Sequence, residues 1–262
     1  MARKKLALTR EVAPSIVDCE LTFLGRAPID FKKAQEQHAK YRAALALAGA
    51  EVIHLENPAG LPDAVFVEDP AIILDEIAVV TRPGAASRLR EADDFAAILP
   101  RYRTVIGRLG EPATLDGGDV LTVGKTLFVG LSRRTNSEGV RQLQEHIRPL
   151  GYRVQTVDVP ICLHLKTGCS FLGERTLLVN PIWVSPRTFQ GPFQGFRVLE
   201  TDPSEPFAAN ALLVGETILY PAGYPKTRGL LAEAGFRVTE VDISELQKAE
   251  AGLTCMSQIF AL

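Results

Sequence analysis

The sequence Gly151-Tyr152-Arg153-Val154 returns as Gly195-Phe196-Arg197-Val198 and again as Gly235-Phe236-Arg237-Val238. Weaker copies are Gly49-Ala50-Glu51-Val52 and Arg101-Tyr102-Arg103-Thr104. The five copies begin 52, 50, 44 and 40 residues apart along the chain. Because five copies at similar spacing exceed what chance would give, the motif indicates an internal repeat of about 50 residues.

Three copies of the motif follow a segment with the apolar spacing of an amphipathic helix. In the first segment one helix face is formed by residues three and four apart, which are Ala34, His38, Tyr41, Leu45 and Ala48. Asp30 is its expected N-cap, and Gly49 is its expected end. Similar helices are predicted from Asn136 or Ser137 to about Leu150, and from Pro225 to about Ala234.

Two short apolar runs joined by a tight turn follow the motif, a pattern typical of a β-hairpin. The paired runs are Val65–Leu74 with Ile77–Thr81, Val120–Val123 with Thr126–Leu131, Ser170–Leu172 with Thr176–Val179, and Ala211–Val214 with Thr217–Tyr220. The first run, Lys5–Thr9, and the last, Cys255–Phe260, have no partner within their own units. We expect these two runs to pair with each other, because pairing removes two exposed strand edges.

The repeat predicts an α/β protein in which residues 1–262 form one domain. A unit of about 50 residues cannot bury its apolar face alone, so the units must pack on one another. A closed ring of five units with pseudo-fivefold symmetry, and with both termini paired in one blade, meets this requirement.

Composition excludes several classes of protein. The 262 residues are 46% hydrophobic and 23% charged, with a net charge of −2, which is not the composition of a disordered chain. No apolar stretch approaches the ~20 residues of a membrane-spanning helix, and no basic stripe indicates nucleic acid. The four cysteines form no Cys-x-x-Cys pair, so we expect reduced thiols and no structural zinc. We also expect no signal peptide and a cytoplasmic location.

Polar residues recur just before the hairpin of each unit. They are Asp63, Glu68 and Asp69; Asp116 and Asp119; His164; Asn210; and Cys255. In a ring, equivalent positions converge on the axis. Convergence of a cysteine, a histidine and carboxylates on one point is typical of an enzyme with a cysteine nucleophile.

Six stretches in order resemble the dimethylarginine dimethylaminohydrolase family of guanidine-modifying enzymes. They are Val65-Phe66-Val67-Glu68-Asp69, Thr81-Arg82-Pro83-Gly84-Ala85, Leu115-Asp116-Gly117-Gly118-Asp119-Val120, Gly130-Leu131-Ser132-Arg133-Arg134-Thr135-Asn136, His164-Leu165-Lys166 and Leu253-Thr254-Cys255. The resemblance covers nearly the whole chain and implies a pentein, a five-bladed α/β propeller. It implies hydrolysis of asymmetric dimethylarginine and monomethylarginine to citrulline and dimethylamine or methylamine, without a metal or cofactor. A homodimer is compatible with this prediction.

The resemblance also implies the catalytic roles. Cys255 is the predicted nucleophile, and His164 is the predicted general acid and base. Asp116 would hold the histidine tautomer, with Asp119 as the rival for this role. Among the other cysteines, Cys162 and Cys169 are expected in the core, and Cys19 lies in a segment expected to be mobile.

The predicted substrate contacts come from the same resemblance. Glu68 and Asp69 would bind the guanidinium group, with Asp63 and Phe66 as further contacts. Arg88 and Arg134 would bind the substrate carboxylate, although Arg82, Arg90 and Arg133 are close in sequence. Leu21 belongs to a predicted flap, Cys19–Ala27, and Ala249 would offer its backbone carbonyl. Pro70 stands where the resemblance leads us to expect a threonine after Glu-Asp. The sequence therefore does not decide which guanidine substrate is preferred.

Two other functions remain open from the sequence. An arginine deiminase-like enzyme would use the same nucleophile, histidine and carboxylates. A non-catalytic amino-acid binding protein would be expected to have lost the cysteine or the histidine.

Overall fold

The strands of the computed structural model, which describes residues 5–58, 60–189 and 195–261, form five three-stranded sheets. One sheet contains β1 (Lys5–Arg10), β2 (Ala50–Leu55) and β15 (Gln258–Ala261). The other four contain β3 (Ala71–Ile73), β4 (Ala78–Val80) and β5 (Val105–Arg108); β6 (Val120–Val123), β7 (Thr126–Leu131) and β8 (Arg153–Asp158); β9 (Cys169–Phe171), β10 (Thr176–Val179) and β11 (Arg197–Glu200); and β12 (Leu212–Val214), β13 (Thr217–Pro221) and β14 (Arg237–Val241).

All five sheets have the same pairing. The central strand is antiparallel to one neighbour and parallel to the other, as β7 is to β6 and β8. In the sheet that contains both ends of the described chain, β1 is central, antiparallel to β15 and parallel to β2. Leu8 lies opposite Gln258 in this sheet, so the predicted pairing of the first and last runs is confirmed.

Among the described residues, four helices of nine to seventeen residues connect a central strand to its parallel neighbour, and two helices of four residues connect one sheet to the next. They are α1 (Phe31–Leu47), α2 (Leu89–Ile98), α3 (Ser137–Ile147), α4 (Leu165–Gly168), α5 (Pro225–Glu233) and α6 (Ser244–Gln247). Short 3-10 turns cover Pro14–Asp18, Ala86–Arg88, Leu99–Arg101, Gly117–Asp119, Arg148–Leu150, Pro186–Phe189 and Thr254–Met256. The predicted cap Asp30 accepts a 3.0 Å hydrogen bond from the Lys33 amide, and Asn136 caps α3 through the Gly139 amide at 2.8 Å. No helix within the described ranges has both the length and the apolar composition to cross a membrane.

The predicted strand Val65–Leu74 is wrong over its first half. Only Ala71–Ile73 is a strand, and the preceding residues form buried turns. Their backbone groups bond to other units instead of to a ladder, since the Glu68 amide donates to the Cys255 carbonyl at 3.2 Å. Pro70 has no amide hydrogen to offer a neighbouring strand. Cys255 likewise lies in a 3-10 turn and precedes its strand.

The core consists of apolar clusters between the sheets and the helices that cover them. Cys162 and Cys169 are buried in one cluster with Phe128 and Val179, as predicted. The expectation of a mobile Cys19 is wrong, because this side chain is fully buried beside Ile16 in another cluster. All four cysteines are free thiols.

Candidate active site

Cys255 is partly buried at the end of the loop that follows α6. Its Sγ accepts a hydrogen bond from the Gly252 amide at 3.4 Å. Burial, and then the negative charges of Glu68 and Asp69, raise the pKa of the Cys255 thiol to about 12. The thiol therefore needs a positive partner before it can act as a thiolate nucleophile.

His164 lies immediately before α4, and its Nε2 is 3.1 Å from Oδ2 of Asp116. Asp116 is fully buried and also accepts a 2.8 Å hydrogen bond from the Gly84 amide. Burial disfavours the charged imidazolium, but the carboxylates of Asp69, Asp116 and Asp119 outweigh it and raise the pKa of His164 to about 9. The histidine is thus held as a cation that can donate a proton.

Asp119, the rival for the role of Asp116, holds the backbone instead of the imidazole. Its Oδ1 accepts from the Leu165 amide at 2.8 Å, and its Oδ2 accepts from the hydroxyls of Ser132 and Thr135 at 2.6 and 2.7 Å. Burial raises the pKa of Asp119 to about 6. This carboxylate fixes the start of α4 and so the position of His164.

Gly118 allows the histidine to approach this turn closely. A Cβ on Gly118 would lie 2.4 Å from Nδ1 of His164, closer than atoms can pack. The Gly118 amide also donates to Oδ1 of Asp69 at 2.9 Å. Gly118 was not among the predicted site residues; its place between two acidic residues of the site was the available signal.

Glu68 and Asp69 are adjacent in sequence, but their carboxylates bond different partners. Asp69 accepts from Nη1 of Arg88 at 2.6 Å, and despite burial the charges of His164 and Arg88 hold its pKa well below the usual range. Glu68 accepts from Nζ of Lys166 at 2.5 Å and from the Thr254 hydroxyl at 2.9 Å. Burial raises the pKa of Glu68.

The two predicted carboxylate-binding arginines are both buried and both bonded within the protein. Arg88 donates to Asp69 and, through Nε and Nη2, to Glu91 at 3.0 and 2.8 Å. Arg134 donates to the Thr22 hydroxyl through Nη2 at 2.7 Å and lies 3.5 Å from Asp116. Sequence reasoning missed Glu91, which follows Arg88 by three residues on α2.

The neighbouring arginines lie elsewhere. Arg82 bonds Glu111, Arg133 stacks on the ring of Phe23, and Arg90 is exposed.

A small cavity brings most of the predicted residues together. Its lining comprises Glu20, Asp63, Phe66, Asp69, Arg88, Arg134, Leu163, His164, Ala249, Glu250, Ala251 and Cys255. Three predicted residues lie outside this lining. Asp116 is fully buried and contacts His164, and Glu68 borders a different cavity with Lys166. Leu21 packs against the same core cluster as Cys255.

Residues 19–27, the predicted flap, are bonded to the loop that precedes the cysteine. The Glu250 carboxylate accepts three backbone hydrogen bonds, from Thr22 at 2.9 Å and from Phe23 and Leu24 at 2.5 Å each. Glu250 was not among the predicted residues, and nothing in its sequence context distinguished it. It lies beside Ala249 with a φ of 60°, in the left-handed region.

The described residues include one cluster of three metal-ligating side chains, Asp69, Asp116 and His164, whose ligand atoms lie within 4.8 Å of one another. Those atoms already bond each other, Arg88 or backbone amides. The arrangement therefore suits proton transfer and cation recognition.

Comparison with known proteins agrees with this geometry. Residues 59–188 match the arginine deiminase family model. The dimethylarginine dimethylaminohydrolase of Pseudomonas aeruginosa is 38% identical over 257 residues, which cover 98% of this chain and 99% of that protein. The corresponding enzyme of Streptomyces coelicolor is 38% identical over 97% of this chain and 96% of its own.

A solved structure has the same fold. The Pseudomonas aeruginosa enzyme, as a cysteine-to-serine variant in complex with citrulline, superposes with a TM-score of 0.91 and 36% identity, covering 99% of this chain and 100% of that one. The full-length similarity, the five sheets and the assembled polar cavity have one explanation: this chain belongs to the dimethylarginine dimethylaminohydrolase family of the pentein superfamily.

Proposed function

We propose that the protein hydrolyses asymmetric dimethylarginine and monomethylarginine to citrulline and dimethylamine or methylamine. The observation that carries this proposal is the shared cavity in which Cys255 and His164 lie beside the ionised carboxylate of Asp69, with Asp116 buried behind the imidazole. A cysteine, a protonated histidine and a carboxylate are the groups that attack on a guanidinium carbon requires. The names of the two bacterial relatives support the same substrate class.

The first half of the proposed reaction forms a covalent intermediate. The bound guanidinium is the positive partner that stabilises the Cys255 thiolate, and the thiol proton passes to solvent. The thiolate attacks the central guanidinium carbon and forms a C–S bond, while Asp69 balances the positive charge. His164 gives its proton to the leaving nitrogen, the C–N bond breaks, and the methylated amine departs. The product on the enzyme is a thiouronium.

The second half regenerates the enzyme. A water molecule attacks the thiouronium carbon and gives a proton to His164, which now acts as a base. The C–S bond then breaks, the sulfur leaves as a thiolate, and the remaining hydroxyl proton passes to solvent as neutral citrulline is released. Asp116 holds the imidazole orientation through both halves, as the third member of a triad does.

The arginines differ in their capacity to bind a substrate carboxylate. Arg88 commits its Nε and both Nη groups to Asp69, Glu91 and the Phe66 carbonyl. Arg134 bonds a neutral hydroxyl and has a longer contact to Asp116. We therefore assign Arg134 the larger share of carboxylate binding. Asp63, with its carboxylate in the same cavity, would contact the substrate amino group.

The five sheets support a corresponding proposal for the architecture. We propose that they are the blades of a closed five-bladed α/β propeller with pseudo-fivefold symmetry, formed by residues 1–262 as a single domain. The common pairing of all sheets and the presence of both chain ends in one sheet support this. The free thiols support a cytoplasmic location.

Incubation with arginine, monomethylarginine and asymmetric dimethylarginine, followed by citrulline assay, tests the function. We expect the methylated substrates to be turned over and Cys255→Ser to abolish turnover. The matched control changes Cys162 and Cys169 to alanine, which should lower the melting temperature more than the rate. Preference for unmethylated arginine would favour the deiminase-like alternative, and binding without citrulline would favour the amino-acid binding protein.

A further inference from the structure

Asn210 is the polar residue of the fourth unit, and the mechanism above does not use it. It is 5% exposed, and it lies between the segment that carries His164 and the segment that carries Cys255. Its Nδ2 donates to the Lys166 carbonyl at 2.8 Å and to the Thr254 hydroxyl at 3.1 Å. Its Oδ1 accepts from the Thr254 amide at 3.3 Å. One amide side chain therefore joins α4 to the residue that precedes the nucleophile.

These bonds belong to a closed ring of polar contacts. The Thr254 hydroxyl accepts from Asn210 and donates to the Glu68 carboxylate at 2.9 Å. Glu68 in turn accepts from Nζ of Lys166. Lys166 closes the ring, because its backbone carbonyl accepts from Asn210. The ring takes one residue from each of four repeated units, so it fixes four units against one another at the point where the site lies.

The packing below the cysteine gives a second, independent observation. A Cβ on Gly252 would lie 2.5 Å from the side chain of Asn210, so the glycine rests directly on this amide. The Gly252 amide is the group that donates to Sγ of Cys255. Asn210 thus supports the nucleophile from two sides, through Thr254 and through Gly252.

We propose that Asn210 is a positioning residue that sets the placement of Cys255 relative to His164. The inference rests on the function proposed above. Asp119 holds α4 by accepting from the Leu165 amide, and Asn210 holds it by donating to the Lys166 carbonyl. A displacement of about 1 Å between reacting groups costs roughly a hundredfold in rate. Loss of the amide should therefore lower kcat and leave KM nearly unchanged.

The test compares Asn210→Ala with Asn180→Ala. Asn180 is 2% exposed, and its side chain bonds the Pro206 carbonyl and the Ile182 amide, away from His164 and Cys255. We expect Asn210→Ala to lower kcat at least tenfold with KM changed less than threefold, and Asn180→Ala to keep kcat within twofold. Asn210→Asp, which preserves volume but removes the donor toward Lys166, should show the same kcat loss if the alanine variant fails to fold.

A second readout is independent of the substrate. Alkylation of Cys255 by iodoacetamide, followed by mass spectrometry of its peptide, should become faster in Asn210→Ala, because the space under Gly252 admits water and reagent to Sγ. Faster alkylation of Cys255 together with slower turnover distinguishes a misplaced thiol from general destabilisation of the protein. Equal kcat in the two asparagine variants, or an alkylation rate unchanged from the parent protein, would overturn the proposal. Absence of citrulline from the parent protein would refute the proposed function and leave the alkylation arm to decide the role of Asn210.

Discussion

At the scale of single residues, the site depends on which carboxylates contact the charged imidazole of His164. Asp116 and Asp119 are three residues apart, both fully buried, and both near His164. Asp116 contacts the imidazole through its Oδ2, which faces Nε2 of His164. Both oxygens of Asp119 instead accept hydrogen bonds from an amide and two hydroxyls. Asp69, Asp116 and Asp119 all raise the pKa of His164, so the imidazolium is stabilised by a network of carboxylates rather than by one partner.

This network predicts a pH dependence of stability. The folded protein raises the pKa of His164 to about 9, above its ordinary value of about 6.5. The stabilisation is therefore complete below pH ~6.5 and disappears as the pH rises through ~9. We expect the free energies of unfolding of the parent protein and His164→Gln, from urea denaturation, to differ more at pH 6 than at pH 9.5. A difference independent of pH would contradict the assigned charge of the imidazole.

Arg134 predicts selectivity for an amino-acid substrate. Agmatine carries the guanidinium but no carboxylate, so it would leave the arginine unpaired. A charge-assisted hydrogen bond is worth about 1.5–3 kcal/mol, or roughly ten- to a hundredfold in kcat/KM. We expect agmatine to be a far poorer substrate than monomethylarginine, and Arg134→Ala to reduce that ratio.

The comparison uses the ratio of the two substrates because Arg134 also lies 3.5 Å from Asp116, so both rates should fall. Arg133→Ala is the matched control, since its guanidinium stacks on Phe23 outside the cavity lining. Equal kcat/KM for agmatine and monomethylarginine in the parent protein would refute the carboxylate role.

At the scale of elements, the predicted flap is bonded to the loop that carries Cys255. Glu250 accepts three amides of residues 22–24, and Arg134 bonds the Thr22 hydroxyl. Hydrogen bonds to a carboxylate are about twice as strong as neutral ones, so this single side chain holds much of the segment. Residues 22–24 are thereby coupled to the loop before Cys255 and to Arg134.

Glu250→Gln should loosen the flap without a change in side-chain volume. We expect faster trypsin cleavage after Arg26 and a higher KM, because the closed segment forms less readily around the substrate. Glu216→Gln, in the exposed turn before β13, is the control and should match the parent protein in both measurements. Unchanged cleavage in Glu250→Gln would show that other contacts hold the flap.

Regular elements were predictable because their signals are local. The caps Asp30 and Asn136 and the glycine turns between paired strands follow from side-chain chemistry within a few residues. The turns around Glu68 were not predictable, because their backbone bonds to a unit nearly two hundred residues away. The same holds for Glu250, whose partners are more than two hundred residues earlier in the chain. Motif residues could be chosen from the sequence, but the direction in which each side chain faces depends on these distant contacts.

At the scale of the whole molecule, the sheet that contains both chain ends completes the set of five. Tyr41 of α1 reinforces it, since its hydroxyl donates to the Leu253 carbonyl at 2.8 Å and lies 2.6 Å from Oγ of Ser257. Cys255 therefore lies between two residues that are held by a helix near the beginning of the chain. The same helix therefore contacts both the segment around Cys255 and the start of β15, which pairs with β1.

Circular permutation tests the proposed closure of the five sheets into a ring. Lys5 and Ala261 are paired in neighbouring strands, so a short glycine-serine linker can join the ends without distorting β1 or β15. New ends between Gly215 and Glu216 would fall in an exposed turn, where no strand pairing is lost. We expect this permutant to produce citrulline within about threefold of the parent rate, because loop opening changes entropy more than packing. A permutant opened between Gly117 and Gly118 should be inactive, since those residues support Asp69 and His164. Loss of folding in the first permutant would mean that closure of the five sheets depends on chain order as well as on contacts.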